Sequence, residues 1–323
     1  MPRGSTGFLV TGGGGFVGSH LTRQLLADGE VAVVDNLAVG EAEHVPGETD
    51  LHETDLRDRD AVTDVLESFE PDVIVHLAAH HYIPYCNEHP EEVFDVNVMG
   101  TRHLLGAAES LSSLDRVVYA STAAVYPPRE EPHSETDPTG PMDIYGRTKL
   151  VGEDLLDRFV TRTDVPGVAA RLFNIYGPNE TNPHLVPAIL DQLEDGSRTV
   201  DLGNLTPKRD YVWAGDVADA LTTLATSHDD GYAAYNVGTG TAWSVREVVE
   251  QVEHALGEDI AIEQDEDRVR ESDRPHLRAD PTRLEEDYGW TATTSFVDGL
   301  GDLLDARRLS YVTRTTFRRP SVM

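Results

Sequence analysis

Two kinds of apolar spacing alternate along the first half of the chain. Residues 7 to 11 read G-F-L-V-T, a short apolar run. G-G-G-G-F-V-G-S-H-L-T-R-Q-L-L-A-D-G then carries Val17, Leu21 and Leu25 at four-residue spacing, and E-V-A-V-V-D closes the stretch at Asp35. Short continuous apolar runs predict strands buried on both faces, and the spacing of four predicts a helix, with Gly29 as its stop. The unit is βαβ. Further strand-like runs lie at 73 to 78 (V-I-V-H-L-A), 116 to 120 (R-V-V-Y-A) and 168 to 172 (V-A-A-R-L), with helix-length stretches between several of them. Such alternation predicts an α/β fold with a Rossmann-like, doubly wound parallel sheet.

After about residue 175 proline and glycine break the pattern, with helices predicted near 186 to 195 and 244 to 256. The expected organisation is a nucleotide-binding domain over 1–175, a smaller C-terminal substrate-binding lobe over 176–306 with some segments returning to the core, and a basic tail over 307–323. That tail holds five arginines and no acid, and a frayed terminus is expected. No internal repeat is evident.

Composition narrows the classes. With 323 residues and 39% hydrophobic content the chain can bury a large core. No run approaches the ~20 apolar residues of a membrane span, and the start lacks a basic segment followed by an apolar one, so a cytoplasmic protein without a membrane partner is expected. The single cysteine, Cys86, excludes an internal disulfide and a cysteine-bound zinc, and is expected to be a packed or half-exposed thiol. A formal net charge of -32 argues against nucleic acid as a partner. Only two of the 26 basic residues are lysines, Lys149 and Lys208. An acidic, lysine-poor chain of this kind is typical of salt-accumulating organisms, because salt screens repulsion that otherwise opposes compaction.

Candidate chemistry begins in T-G-G-G-G-F-V-G, which can be read as Gly12-x-x-Gly15-x-x-Gly18 or Gly13-x-Gly15-x-x-Gly18. Either spacing lets backbone approach a pyrophosphate at the start of a helix. The match gains weight because it follows a strand, opens a helix and is followed by an acid ending the next strand. That acid, Asp35, can accept from both ribose hydroxyls and would repel a 2'-phosphate, so NAD is favoured over NADP. Tyr145 and Lys149 lie four apart in a helical segment and share one face. A phenol is a poor base at neutral pH unless an ammonium and a cationic ring stabilise its phenolate. In S-T-A-A-V-Y, 121 to 126, Thr122 lies just beyond the predicted strand at its carboxyl end, where its hydroxyl would face the crevice.

With these segments the chain resembles the extended short-chain dehydrogenase/reductase superfamily, within it the NAD-dependent nucleotide-sugar epimerase/dehydratase family typified by UDP-glucose 4-epimerases. The resemblance runs from about 7 to 305. It rests on V-T-G-G-G-G-F-V-G-S-H-L, V-V-D-N-L, H-L-A-A, N-V-M-G-T, S-T-A-A-V-Y, Y-G-R-T-K, R-L-F-N-I-Y-G-P, R-D-Y-V-W-A-G-D-V-A and R-E-S-D. It implies that Tyr145 is the acid/base, that Lys149 binds the nicotinamide ribose and lowers the tyrosine pKa, and that Thr122 bonds the reacting sugar hydroxyl. For NAD it implies Gly12, Gly15, Phe16, Val17, Gly18, Asp35, Asn36, Asp55, Leu56, Ala78, Ala79, Asn97 and Phe173, together with Tyr145 and Lys149. For a UDP-sugar it implies Asn174, His184, Leu185, Arg209, Arg270 and Asp273 beside Thr122. Two arginines on a diphosphate suit a protein this negative, since the anion needs a local positive pocket.

The resemblance also implies a reaction. The sugar is oxidised transiently at C4, and hydride return to the other face gives an epimer of a UDP-hexose or UDP-hexuronate. Relatives that dehydrate or decarboxylate carry acids directly after the catalytic threonine, where this chain has Ala123 and Ala124. A dehydratase, decarboxylase or reductase is the alternative, followed by a catalytically silent NAD-binding regulator. Departures from the family pattern sit where the sugar is read: Trp213 replaces a histidine, Ser272 a glycine, and H-H-Y-I-P-Y-C-N-E-H-P at 80 to 90 replaces a serine-containing run, with His81 near the sugar side. Metal binding by His80, His81 and His89 is disfavoured, since adjacent histidines do not easily converge. A homodimer is implied through helices near 91 to 110 and from Tyr145 onward.

The charge gives a first prediction. The thermal midpoint should rise as KCl is increased from millimolar to molar, and a Tm independent of KCl would contradict salt-dependent folding.

Overall fold

The computed structural model describes residues 5–194, 196–265, 275–307 and 309. Its strands are β1 (Thr6–Thr11), β2 (Gly29–Asp35), β3 (Asp50–Glu53), β4 (Val73–His76), β5 (Arg116–Thr122), β6 (Gly167–Leu172), β7 (Asn174–Tyr176), β8 (Thr199–Leu202), β9 (Lys208–Trp213), β10 (Tyr232–Val237), β11 (Ala242–Ser244), β12 (Ala261–Gln264) and β13 (His276–Leu277). Its helices are α1 (Phe16–Leu25), α2 (Arg59–Phe69), α3 (Ile83–Glu88), α4 (Pro90–Phe94), α5 (Thr101–Ala108), α6 (Ile144–Thr163), α7 (Leu185–Glu194), α8 (Ala214–Ser227), α9 (Val245–Leu256), α10 (Thr282–Tyr288) and α11 (Phe296–Ala306).

Seven strands pair in the order β10-β6-β5-β4-β1-β2-β3, every pairing parallel. The order reverses at β1, so a crevice opens beyond the carboxyl ends of β1 and β4. The strand period of two sorts side chains onto two faces. Phe8, Val10, Val33 and Val75 join Leu21, Val217 and Leu221 in one buried cluster, while Leu9, Val34 and Ile74 join Leu66, Leu104 and Leu156 in another. The doubly wound sheet expected from the apolar runs is therefore present.

Two features of the second half follow from pairings distant in sequence. Strand β10 returns to edge the main sheet against β6, and α8 packs beside α1 in the first cluster, with Gln24 Nε2 donating to Asp219 Oδ1 at 2.7 Å. The remaining elements build a separate apolar cluster from Tyr176, Ile189, Val200, Tyr211, Val252, Phe296 and Leu300. There β9 is flanked by β11, β13 and β7, and β12 pairs with β8.

Local structure departs from expectation at Gly29, which does not stop α1. The helix ends at Leu25, and Gly29 opens β2 because a Cβ there would lie 2.0 Å from the Thr6 carbonyl oxygen. Strand β5 runs on through Ser121 and Thr122, beyond the predicted end at Ala120. A π-helical stretch, Asp95–Gly100, joins α4 to α5 in the region read as one helix. Arg307 caps α11 and pairs with Asp191 and Glu194, whereas Arg308 and residues 310–323 of the basic tail lie outside the described residues.

Helix α6 begins where Asp143 accepts from the Gly146 amide at 2.7 Å and ends at Asp164 in a left-handed conformation. It lies very close to β5, since a Cβ on Gly152 would fall 2.1 Å from the Tyr119 hydroxyl. Alanine favours a helix over glycine by about 1 kcal/mol, but overpacking a buried contact costs about 1–3 kcal/mol. Gly152→Ala is therefore expected to lower stability in urea unfolding, and adding Tyr119→Phe should recover part of the loss.

Candidate active site

The glycine loop is built for close backbone contact. Gly12 has φ +74°, and a Cβ on it would lie 2.8 Å from the Ala78 amide nitrogen; a Cβ on Gly18 would lie 2.0 Å from the Gly12 carbonyl oxygen. Helix α1 starts from Gly15 with no side-chain cap and no acid in its first turn, so its leading amides are left for an outside anion. Phe16 is buried, and Val17 packs against the first core cluster. This cradle fits a dinucleotide pyrophosphate.

Asp35 ends β2 with a buried carboxylate that accepts from the Gly14 amide at 2.9 Å and the Leu37 amide at 2.8 Å. The residue read as a ribose acceptor thus also holds the glycine loop to the strand, and each oxygen keeps a second lone pair. Asn36 donates to Asp55 at 3.0 Å. Arg57 was missed by the sequence reading, which found no arginine in V-V-D-N-L. It grips Asp55 through Nε at 3.0 Å and a terminal nitrogen at 2.7 Å, holding that carboxyl well below the usual range. Leu56 is buried under Gly100, where a Cβ would come within 2.9 Å.

On the other side of the crevice the π-helical turn aims Asn97 inward. Its amide oxygen accepts from the His80 amide at 2.8 Å, and its nitrogen donates to the His80 carbonyl at 2.9 Å and to the Thr148 hydroxyl at 3.1 Å. The loop through Ala78 and Ala79 is thereby clamped between β4 and α6. The Ala78 amide also donates to the Thr11 hydroxyl at 3.2 Å.

Thr122, Tyr145 and Lys149 converge at the carboxyl end of β5. The Thr122 hydroxyl accepts from the Ala124 amide at 3.1 Å and lies beside the Tyr145 phenol, while Ala123 and Ala124 form a buried turn directly after it. Burial raises the Tyr145 phenol, and the neighbouring Thr122 hydroxyl acts in the opposite direction. Lys149 is 3% exposed; its Nζ donates to the Ala120 carbonyl at 2.7 Å and sits 4.8 Å from the Tyr119 ring centroid. Burial lowers Lys149 to about 7, opposed by Cys86 and Glu153. The sequence reading had Lys149 lowering the phenol directly. In the structure its ammonium is anchored on the β5 backbone at Ala120.

Cys86 is fully buried rather than half-exposed, and its thiol is pushed up to about 12 by burial. Beyond Cys86 two loops meet. The His81 Nε2 and Asn182 Nδ2 atoms are 3.1 Å apart, His184 packs edge-on to His81 and stacks with Tyr82, and Glu180 is raised to about 7 by burial. Asn182 and Glu180 went unread; the only signal was the polar run N-E-T-N after Pro178. Phe173 is buried against Tyr126, Asn174 opens β7, and Leu185 opens α7. Arg209 lies on β9 beside Asp210, a fully buried carboxylate that accepts from the amides of Thr239, Gly240 and Ala279 and from the Thr239 hydroxyl. Arg270 and Asp273, the other residues read as nucleotide contacts, lie outside the described residues.

The model of the NAD dependent epimerase/dehydratase family matches residues 8–238. The chain is 34% identical over 309 residues to a UDP-glucose 4-epimerase of Mycolicibacterium smegmatis, covering 92% of this chain and 97% of that one. It is 33% identical over 308 residues to the low-salt glycan biosynthesis protein Agl12 of Haloferax volcanii, again covering 92% and 97%. Among solved structures, the UDP-glucose 4-epimerase of Thermus thermophilus in complex with NAD superposes with a TM-score of 0.85 at 33% identity, covering 94% of this chain and 99% of that one.

The two carboxylates at the β2 end should behave differently. Asp35→Ala leaves two amides without their acceptor and is expected to cost about 1–3 kcal/mol in urea unfolding. Asp55→Ala loses a partly exposed ion pair and should cost ~0–1 kcal/mol.

Proposed function

This chain belongs to the NAD-dependent epimerase/dehydratase family, and from that premise we propose that it is an NAD-dependent nucleotide-sugar 4-epimerase acting on a UDP-hexose or UDP-hexuronate. One observation carries the reading: the Thr122 hydroxyl and the Tyr145 phenol lie together at the carboxyl end of β5, with Lys149 one helical turn behind Tyr145. When bound, NAD supplies the acceptor that takes hydride from the sugar C4 and returns it.

The chain's own residues position the substrate and move a proton. Gly12, Gly15 and Gly18 admit the pyrophosphate, and Asp35 selects NAD by offering carboxylate oxygens to ribose hydroxyls. Thr122 and Tyr145 hold the sugar 4-hydroxyl, and Tyr145 takes and returns its proton. Lys149 supplies positive charge in a dry site. Arg209 and Asn174, with His184 and Leu185 at the start of α7, are assigned to the nucleotide-sugar, with Arg270 and Asp273 completing the set. The alanines at 123 and 124 offer no acid or base for elimination, which favours epimerisation over dehydration.

The reading extends to a cytoplasmic homodimer working at high ionic strength. Among the described residues no helix is long and apolar enough to cross a membrane. Phe94 and Met142 are 45% and 51% exposed, and Val151 is also exposed. These apolar side chains on and beside α4 and α6 suit burial against a second copy.

Incubation with UDP-glucose, UDP-galactose, UDP-glucuronate and the UDP-N-acetylhexosamines in molar KCl should interconvert one C4 pair. Conversion of none contradicts the proposal, and accumulation of a stable 4-keto sugar favours the dehydratase or reductase alternative. Tyr145→Phe should lower kcat roughly 10²-fold or more with little change in Tm, because it removes only the proton carrier. Lys149→Arg should lose far more turnover than stability, since the wider guanidinium suits the compact slot poorly.

A further inference from the structure

Helix α6 carries a third titratable side chain in register with its catalytic pair. Tyr145, Lys149 and Glu153 are spaced by four and share one face. Glu153 is almost fully enclosed, as is Arg171 of β6; the guanidinium holds the carboxylate through Nε at 3.0 Å and a terminal nitrogen at 2.7 Å. The Ser121 hydroxyl donates to the same carboxylate. Ser121 stands between Ala120, whose carbonyl receives Lys149, and Thr122. Arg171 is itself fixed by the Tyr126 hydroxyl at 2.8 Å, which donates to Asn236 of β10 at 2.8 Å. One buried network thus ties α6 to β5, β6 and β10 directly behind Lys149. A buried pair of this kind is weak evidence for stability alone, because desolvation offsets much of its attraction.

The groups facing Lys149 come from every element around it. Strand β5 contributes the Ala120 carbonyl and the Tyr119 ring, β4 contributes His76, the following segment contributes His81 and Cys86, and α6 contributes Tyr145 and Glu153. Burial pushes His76 down to about 3, His81 down to about 4 and Cys86 up to about 12, and raises Tyr145 too. None of these four is charged at neutral pH. The Glu153 carboxylate is the remaining charge among them.

We propose that Glu153, held by Arg171, is a positioning residue that keeps Lys149 as an ammonium and, through Ser121, fixes the β5 carbonyl to which that ammonium is anchored. The inference rests on the assignment of Lys149 to the catalytic set. Without Glu153 the buried amine would shed its proton at a lower pH, and the positive charge beside the sugar hydroxyl would be lost over the working range.

The scarcity of lysine makes a direct test practical. Protein labelled with 13C at lysine Cε should show two side-chain signals, assigned through Lys208→Arg, so Lys149 can be titrated without reference to turnover. Replacing both partners, Glu153→Gln with Arg171→Gln, avoids stranding a buried charge. The Lys149 midpoint should fall by roughly one pH unit in that variant, and the alkaline limb of kcat/KM should move the same way. Glu153→Asp, which keeps the charge but withdraws it by one methylene, should give a smaller shift in the same direction and serves if the double variant does not fold. An unmoved Lys149 midpoint in a folded variant, with the wild type active on a UDP-sugar, overturns the inference. A shifted midpoint in a protein that converts no UDP-sugar upholds the coupling and sinks the functional reading instead.

Discussion

Helix α6 rests on strand β5 with almost no side-chain spacer, and the arrangement of the crevice depends on that contact. Gly152 meets the Tyr119 hydroxyl, and a Cβ on Gly146 would stand 2.4 Å from the Ala124 carbonyl oxygen. Only glycine at both points lets the helix lie close enough for Lys149 to reach the Ala120 carbonyl and for Tyr145 to approach Thr122. Overpacking at either contact would push the helix outward, and a displacement well under the length of a side chain would separate hydroxyl from hydroxyl. The parallel sheet supplies the other half of the constraint, because β1, β4 and β5 all end on the same side and deliver the glycine loop, the Ala78 loop and Thr122 to one edge.

Electrostatics work on two scales. Over the whole surface the chain is strongly negative, which opposes both compaction and an anionic ligand. Within the crevice burial dominates: it keeps His76 and His81 neutral and brings Lys149 to about 7. A lysine there is adjustable in a way arginine is not, since a guanidinium stays charged whatever its surroundings. Retention of one of only two lysines at this position is consistent with a group whose proton affinity matters.

Much of this was legible in the sequence where the signal is local. The βαβ unit announced itself through apolar runs and a glycine turn within thirty residues, and Tyr145 with Lys149 through a single helical interval. What stayed hidden depends on partners far along the chain. Tyr126 finds Asn236, His81 finds Asn182, and β10 pairs with β6 across intervals that no periodicity marks. The direction of the Lys149 ammonium was also illegible, because spacing fixes a shared face and says nothing of the carbonyl beneath it. Gly29 was misread for a related reason: its necessity comes from the Thr6 backbone on a neighbouring strand, not from the helix before it. Arg270 and Asp273, also read as nucleotide contacts, lie outside the described residues.

The central claim is that Thr122, Tyr145 and Lys149 handle the proton on the 4-hydroxyl while the hydrogen on C4 leaves and returns without meeting solvent. UDP-glucose deuterated at C4, or the accepted UDP-sugar labelled in the same place, tests this in one reaction with the protein in molar KCl. The account predicts that the epimer retains its deuterium at C4. Loss of the label to water during epimerisation would contradict it.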